Sequence, residues 1–193
     1  MLPELLQTTN LFHLLHRIDI DLAEQQQKAG CPFCGGPLHY SSYQRKPRGG
    51  PELPEDLYKR LSFCCGNEKC RRRTLPASTL FMGRRVYFRA VILIVTTLNQ
   101  GKAQEYSKNV LSKMFEINRK TINRWIIFFR DIFPRSKQWE AVRGRFSATV
   151  WNHNLPASLV EYYLQHSQSS AQAITNCLRL LATGLQPVKM MSS

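Results

Sequence analysis

The chain has 193 residues, with 27 Lys and Arg against 13 Asp and Glu, a net charge of +14 and a pI near 9.9. This length suits one compact domain or two small ones, and 43% hydrophobic content excludes a wholly disordered chain. The longest apolar run, Ala90–Val95, spans six residues, far short of the ~20 that a membrane helix needs.

The N-terminus has no basic region before its apolar part, so no signal peptide is expected. Leu5, Leu6, Leu11, Leu14, Leu15, Ile18 and Leu22 recur at three- and four-residue intervals and predict helix over residues 3–28. Asn10 or Asp19 can restart this helix as an N-cap after a break, and Gly30 ends it. We take 1–29 as an N-terminal helical segment, 30–80 as a zinc ribbon, 84–146 as a helical domain and 147–193 as a C-terminal helical tail. The positive charge is concentrated in the middle: residues 40–90 carry a net +8 and residues 91–145 a net +7. A one-sign excess of this size repels itself unless a polyanion offsets it, which points to nucleic acid. A membrane surface would call for a basic amphipathic helix, whereas these charges sit mainly in turns and loops.

Residues 31–80 hold most of the Pro, Gly and Cys and predict short strands and loops. Cys31-Pro-Phe-Cys34-Gly-Gly is a knuckle that brings two thiolates onto one ion. Its counterpart is Cys64-Cys65-Gly-Asn-Glu-Lys-Cys70. Four thiolates from two such hairpins make a closed, structural zinc site in a reducing compartment, with no open position for water. Strand alternation through Leu61–Cys65 points Cys64 and Cys65 to opposite faces. The expected ligands of one zinc are therefore Cys31, Cys34, Cys65 and Cys70, with His39 as a possible substitute. Tyr40 and Tyr43 on one side, and Leu61 and Phe63 on the other, suit the strands between the pairs. Residues 46–56, KPRGGPELPED, read as a mobile loop, and Arg45 just before it, with Lys46 and Arg48 within it, can follow a backbone or enter a minor groove. Arg71, Arg72 and Arg73 directly follow the last ligand, with Arg84 and Arg85 beyond, and all five suit phosphate contact.

The pattern Cys31-x2-Cys34…Cys65-x4-Cys70-Arg-Arg-Arg-Thr resembles the zinc-binding segment of the Ogr/Delta phage transcription activators. It is also similar to the N-terminal zinc ribbon of bacterial insertion-sequence transposases. The resemblance covers about 45 residues. It implies DNA association, and a cytoplasmic location with the bacterial nucleoid.

Residues 84–98 include the β-branched run VILIVTT but lack internal Gly or Pro. Their length, and Gly101 beyond, predict a buried helix. Two further helices are expected over 103–114 and 118–133, the second stopped by Pro134. Ile117, Asn118, Thr121, Ile122, Arg124 and Trp125 resemble the helix-turn-helix of bacterial transposases and repressors. Ser112 stands where that pattern usually has Ala, and Glu116 where it has Gly. Ile122, Trp125, Ile126, Phe129 and Phe133 form the buried stripe. Asn118 caps the helix, while Arg119, Lys120, Asn123 and Arg124 lie off the stripe in the turns that enter a major groove. The apolar second half, Ile126–Phe129, needs cover from the tail helices or from Trp139 and Phe146. Tail helices are expected over 156–166 and 169–182, with Cys177 as a core residue.

The four Asp residues (Asp19, Asp21, Asp56 and Asp131) do not cluster as a two-metal nuclease requires. There is no P-loop, nucleophile elbow or HExxH sequence. The expected fold is mainly α with a small β zinc ribbon and a helix-turn-helix. The expected function is non-catalytic, sequence-preferring binding of double-stranded DNA, as a regulator or targeting factor of a bacterial mobile element, with a transposase as a possible protein partner. Two other readings stay open: a transposase-derived protein whose nuclease part lies elsewhere, and an RNA-binding or protein-bridging zinc module.

Overall fold

A computed structural model describes residues 2–82, 86–101, 106–146, 150 and 154–184. The fold is mostly helical with a small β region, as expected. Helix α1 (Leu2–Leu5) and helix α2 (Thr9–Ala29) are separated by a break at residues 6–8. The restart is at Thr8 rather than Asn10 or Asp19. Asp19 lies in the middle of α2 on its buried stripe, which is Leu11, Phe12, Leu15, Asp19 and Ala23. Leu14, included in the expected stripe, is exposed. The buried Asp19 carboxylate accepts hydrogen bonds from the Ser78 hydroxyl, the Thr79 amide and the Thr79 hydroxyl. Burial raises its pKa above the usual carboxylate value in spite of these partners. Gly30 ends α2 at φ +79°, and a Cβ there would meet the Gly35 carbonyl oxygen at 2.9 Å.

The ribbon has five short strands: β1 (Leu38–Tyr40), β2 (Tyr43–Gln44), β3 (Lys59–Arg60), β4 (Phe63–Cys65) and β5 (Arg73–Thr74). They form an antiparallel sheet β1-β4-β5 and a separate pair β2-β3. The small ribbon core consists of Ala23, Cys31, Leu38, Phe63 and Cys65, so α2 supplies one wall. Gln27 also donates to the Leu38 carbonyl at 3.1 Å.

Residues 46–56 depart from the expected mobile loop. The Arg48 amide donates to the Val86 carbonyl, Leu53 is buried, and Leu57 in the following 3₁₀ turn (Glu55–Tyr58) is fully buried. Gly50 lies so close to the core that a Cβ would meet Phe88 Cδ2 at 2.9 Å. The turn residues that suggested mobility instead permit close approach.

Helix α3 (Arg89–Gln100) starts five residues later than expected, because Tyr87 and Phe88 form extended bridges to Arg48 and Phe81. Ala90 through Leu98 are all buried, which confirms a helix surrounded on every side. Its β-branched residues tolerate helix because burial outweighs a propensity difference of a few tenths of a kcal/mol each. Helix α4 (Lys108–Met114) and helix α5 (Arg119–Ile127) follow, joined by a tight turn. Residues 103–105 of the expected first helix lie outside the described residues.

Beyond α5 the chain does not stop at Pro134. It continues as a π-helical turn (Phe128–Ile132) and a 3₁₀ turn (Phe133–Arg135) that places Pro134 near its own N-terminus, where no amide is needed. Helix α6 (Lys137–Arg143) brings Trp139 over Phe133, with ring centroids 5.4 Å apart, and Phe146 stacks on Trp139 at 5.7 Å. These rings supply the expected cover for the apolar end of α5. Helices α7 (Ala157–Gln165) and α8 (Ser170–Thr183) complete the core, with Cys177 buried in α8. One hydrophobic core runs from Leu6 through the 46–57 segment and α3 to Leu181. No helix among the described residues is long and apolar enough to cross a membrane.

Candidate metal centre and basic surface

The metal centre is built from two tight turns. In the first, the Gly35 amide donates to the Cys31 carbonyl at 2.8 Å and the Cys31 amide donates to the Gly36 carbonyl at 2.9 Å. In the second, the Cys70 and Arg71 amides both donate to the Asn67 carbonyl, and the Asn67 amide points at Cys65 Sγ, 3.4 Å away. The β1-β4 register faces the two turns together, so the thiol sulfurs of Cys31, Cys34, Cys65 and Cys70 lie within 4.8 Å of one another. The Cys34–Cys65 and Cys31–Cys70 separations are 3.5 and 3.8 Å. A tetrahedral zinc with Zn–S bonds of about 2.3 Å requires sulfurs about 3.8 Å apart, so the donor set fits a structural zinc site.

The electrostatics agree with a cation. Amides of Phe33 and Cys34 favour the Cys31 thiolate and bring its pKa down to about 7. The Asn67 amide favours the Cys65 thiolate too, but burial and the neighbouring thiols outweigh it and push that pKa up to about 12. Four thiolates this close cannot all ionise without a shared positive charge.

Cys64 is not part of the cluster. It faces the other side of β4, where its thiol lies 3.6 Å from the Arg71 carbonyl oxygen. His39 pairs with Cys64 across β1-β4 and is likewise directed away. Asn67, which the spacing did not single out, is the outer-shell residue of the site; its side-chain amide also approaches Cys34 Sγ at 3.9 Å. An Asn two residues after a ligand was the available signal.

The three arginines after Cys70 are individually constrained. Arg71 adopts φ +47° in the turn. Arg72 stacks on the exposed Phe33 ring at 4.6 Å. Arg73 lies in β5, where register with Cys64 places it on the solvent face, over the Tyr43 ring at 5.5 Å. Arg84 and Arg85 lie outside the described residues.

The second surface lies on the helix pair. The Ser107 hydroxyl caps α4 and the Asn118 side chain caps α5, accepting from the Lys120 amide at 2.9 Å. Glu116 sits between them at φ +53°, the left-handed conformation for which the resembling families use Gly. Ile122 and Trp125 are buried and fix the roll of α5. Asn118, Arg119, Lys120, Asn123 and Arg124 consequently line one groove of about 730 Å³, together with Lys108 and Ser112 of α4. Lys108 was missed by sequence reasoning. It reaches across to donate to Asn123 Oδ1 at 2.8 Å, a contact that only the helix crossing creates.

No protein-family model matches the chain, and no curated protein or solved structure shows significant similarity to it.

Proposed function

We propose that the chain is a non-catalytic, sequence-preferring double-stranded DNA-binding protein that serves a bacterial mobile element as a regulator or targeting factor. The observation that carries this reading is the groove on α4 and α5, which combines Lys108, Arg119, Lys120 and Arg124 with the amide-bearing Asn118 and Asn123. Arg and Asn side chains on a helix of fixed roll can pair with base edges, and Lys can contact phosphate. The stacked arginines of the ribbon add a second basic surface, suited to phosphate contact. The zinc is structural in this reading, because a four-Cys site offers no position for a reacting water.

Selection of genomic fragments bound by the purified protein is the direct test. Recovery of a common double-stranded site supports the proposal, and indiscriminate recovery counts against sequence preference. Incubation with supercoiled DNA and magnesium or manganese tests the non-catalytic part. Nicking that survives repurification and is lost on mutation of Asp131 would place the protein among transposase-derived enzymes instead.

A further inference from the structure

A cavity of about 210 Å³ lies between α3, the turns after α5 and the end of α8. Its walls are mostly apolar and include Ile92, Leu93, Phe128, Phe129 and Phe133. Two polar side chains share this lining, Arg89 and Gln138. Arg89 is the first residue of α3, and its two terminal nitrogens donate to the Leu181 and Phe81 carbonyls at 3.0 and 3.3 Å. Gln138 donates to the same Leu181 carbonyl at 2.7 Å. The Arg89 Nε is shielded from solvent and has no hydrogen-bond partner, and among the described residues no carboxylate is paired with this guanidinium.

A guanidinium in an apolar lining normally has an acid beside it, because charge is poorly solvated there. Among the described residues the carboxylate whose field reaches Arg89 is Asp19, which makes its own hydrogen bonds with Ser78 and Thr79 and none with the guanidinium. Burial brings the Arg89 pKa down to about 10, still charged at neutral pH. The guanidinium therefore borders the cavity with its terminal nitrogens on carbonyls and with no carboxylate bonded to it among the described residues. A cavity of roughly 150 Å³ suffices for benzene. The present one has room for a somewhat larger molecule with an acidic head.

We propose that this cavity binds a small amphipathic carboxylate, an alkyl or aryl acid of about ten non-hydrogen atoms, with its carboxylate on Arg89 and its apolar body against Leu93, Phe129 and Phe133. The inference does not depend on the DNA-binding reading, since it rests on α3 and the turns that follow α5 rather than on the basic groove. Phe128 and Phe129 belong to the π-helical turn that continues α5, so the occupant rests against the extension of the same helix that lines the groove.

Calorimetric titration of the full chain with octanoate, 1-octanol and octylamine tests the proposal. A charge-assisted hydrogen bond contributes enough to expect octanoate to bind roughly 10- to 100-fold more tightly than octanol. Octylamine should not bind. Arg89→Gln should abolish the preference for acid over alcohol. Ala182→Leu, which narrows the cavity while retaining the guanidinium, should weaken octanoate binding at least tenfold, and this variant decides the matter where Arg89→Gln fails to fold. No octanoate binding, equal affinity for acid and alcohol, or acid binding that survives both substitutions would each overturn the proposal.

Discussion

Cys64 and Cys65 are chemically identical neighbours with opposite roles, and the pleat of β4 separates them. Cys65 is buried among the other three thiols, whereas Cys64 faces the Arg71 carbonyl. Cys65→Ser should therefore lose the metal and unfold the ribbon, and Cys64→Ser should retain close to one zinc per chain by elemental analysis. Glu116 presents a second single-residue test. At φ +53° a side chain costs about 1 kcal/mol relative to Gly, and Glu116 is exposed. Glu116→Gly should raise stability by up to ~1 kcal/mol in urea titration, part of the gain being offset by a more flexible unfolded chain. A marked loss of stability would show that the Glu side chain has a role its exposed position does not suggest.

At the scale of elements, the 46–57 segment connects the ribbon to the helical core through contacts that have no periodic signature. Gly49 lies against Val91 and Ile117, and Gly50 against Phe88 and Phe12, so one loop touches α3, the helix-turn-helix turn and α2. Gly50→Ala forces a Cβ to 2.9 Å from the fully buried Phe88 ring, and the loss should be about 1–3 kcal/mol. Gly144→Ala is the control: nothing lies within 4 Å of its Cβ position and its backbone is right-handed helical, so the change should be neutral or slightly stabilising. Thermal unfolding of the two variants side by side separates close packing from a general effect of Ala. The two basic elements should also separate in DNA binding. Asn123 stands on a helix whose roll is fixed by Ile122 and Trp125, so Asn123→Ala should reduce specific binding by about 1–3 kcal/mol and leave non-specific binding nearly intact. Arg72, stacked on Phe33 beside the metal, should act through phosphate. Arg72→Ala should weaken binding to all sequences alike and flatten the slope of log K against log salt by about 1. The reverse pattern, with ribbon variants altering the preferred site, would make the ribbon the reader of sequence.

Across the whole molecule, the ribbon and the helices are joined at α2, whose Ala23 belongs to the ribbon core while Leu11, Phe12 and Leu15 belong to the main one. Loss of zinc therefore should not remain local. Chelation at neutral pH is expected to lower the melting temperature of the helical core as well as that of the ribbon, because α2 and the 46–57 segment lose their anchor. Far-ultraviolet dichroism and tryptophan fluorescence should both record the change, since Trp125 and Trp139 are buried far along the chain from the cysteines. An unshifted tryptophan transition after complete metal removal would show that the two parts are energetically independent.

The ligand set, the Asn118 cap and most of the buried stripe were legible in the sequence, with Ile126 of that stripe only half-buried. Each follows from a local rule: the x2 and x4 spacings close two turns, strand alternation excludes Cys64, and the 3.6-residue period aligns Ile122, Trp125 and Phe129. Features that depend on residues far apart in the chain were not legible in it. The loop at 46–56 looked mobile because its Gly and Pro residues were read as turns, yet Gly50 is the residue that lets the loop reach Phe88. Asp19 looked like a cap and is a buried acceptor, because Ser78 and Thr79 return to it from sixty residues away. Pro134 looked like a stop and is absorbed by a change of helical pitch beneath Trp139. Lys108 joins the groove, and Arg89 the cavity, only where helices cross. Spacing along the chain sets which side chains share a face, but the free energy of burial selects which faces meet.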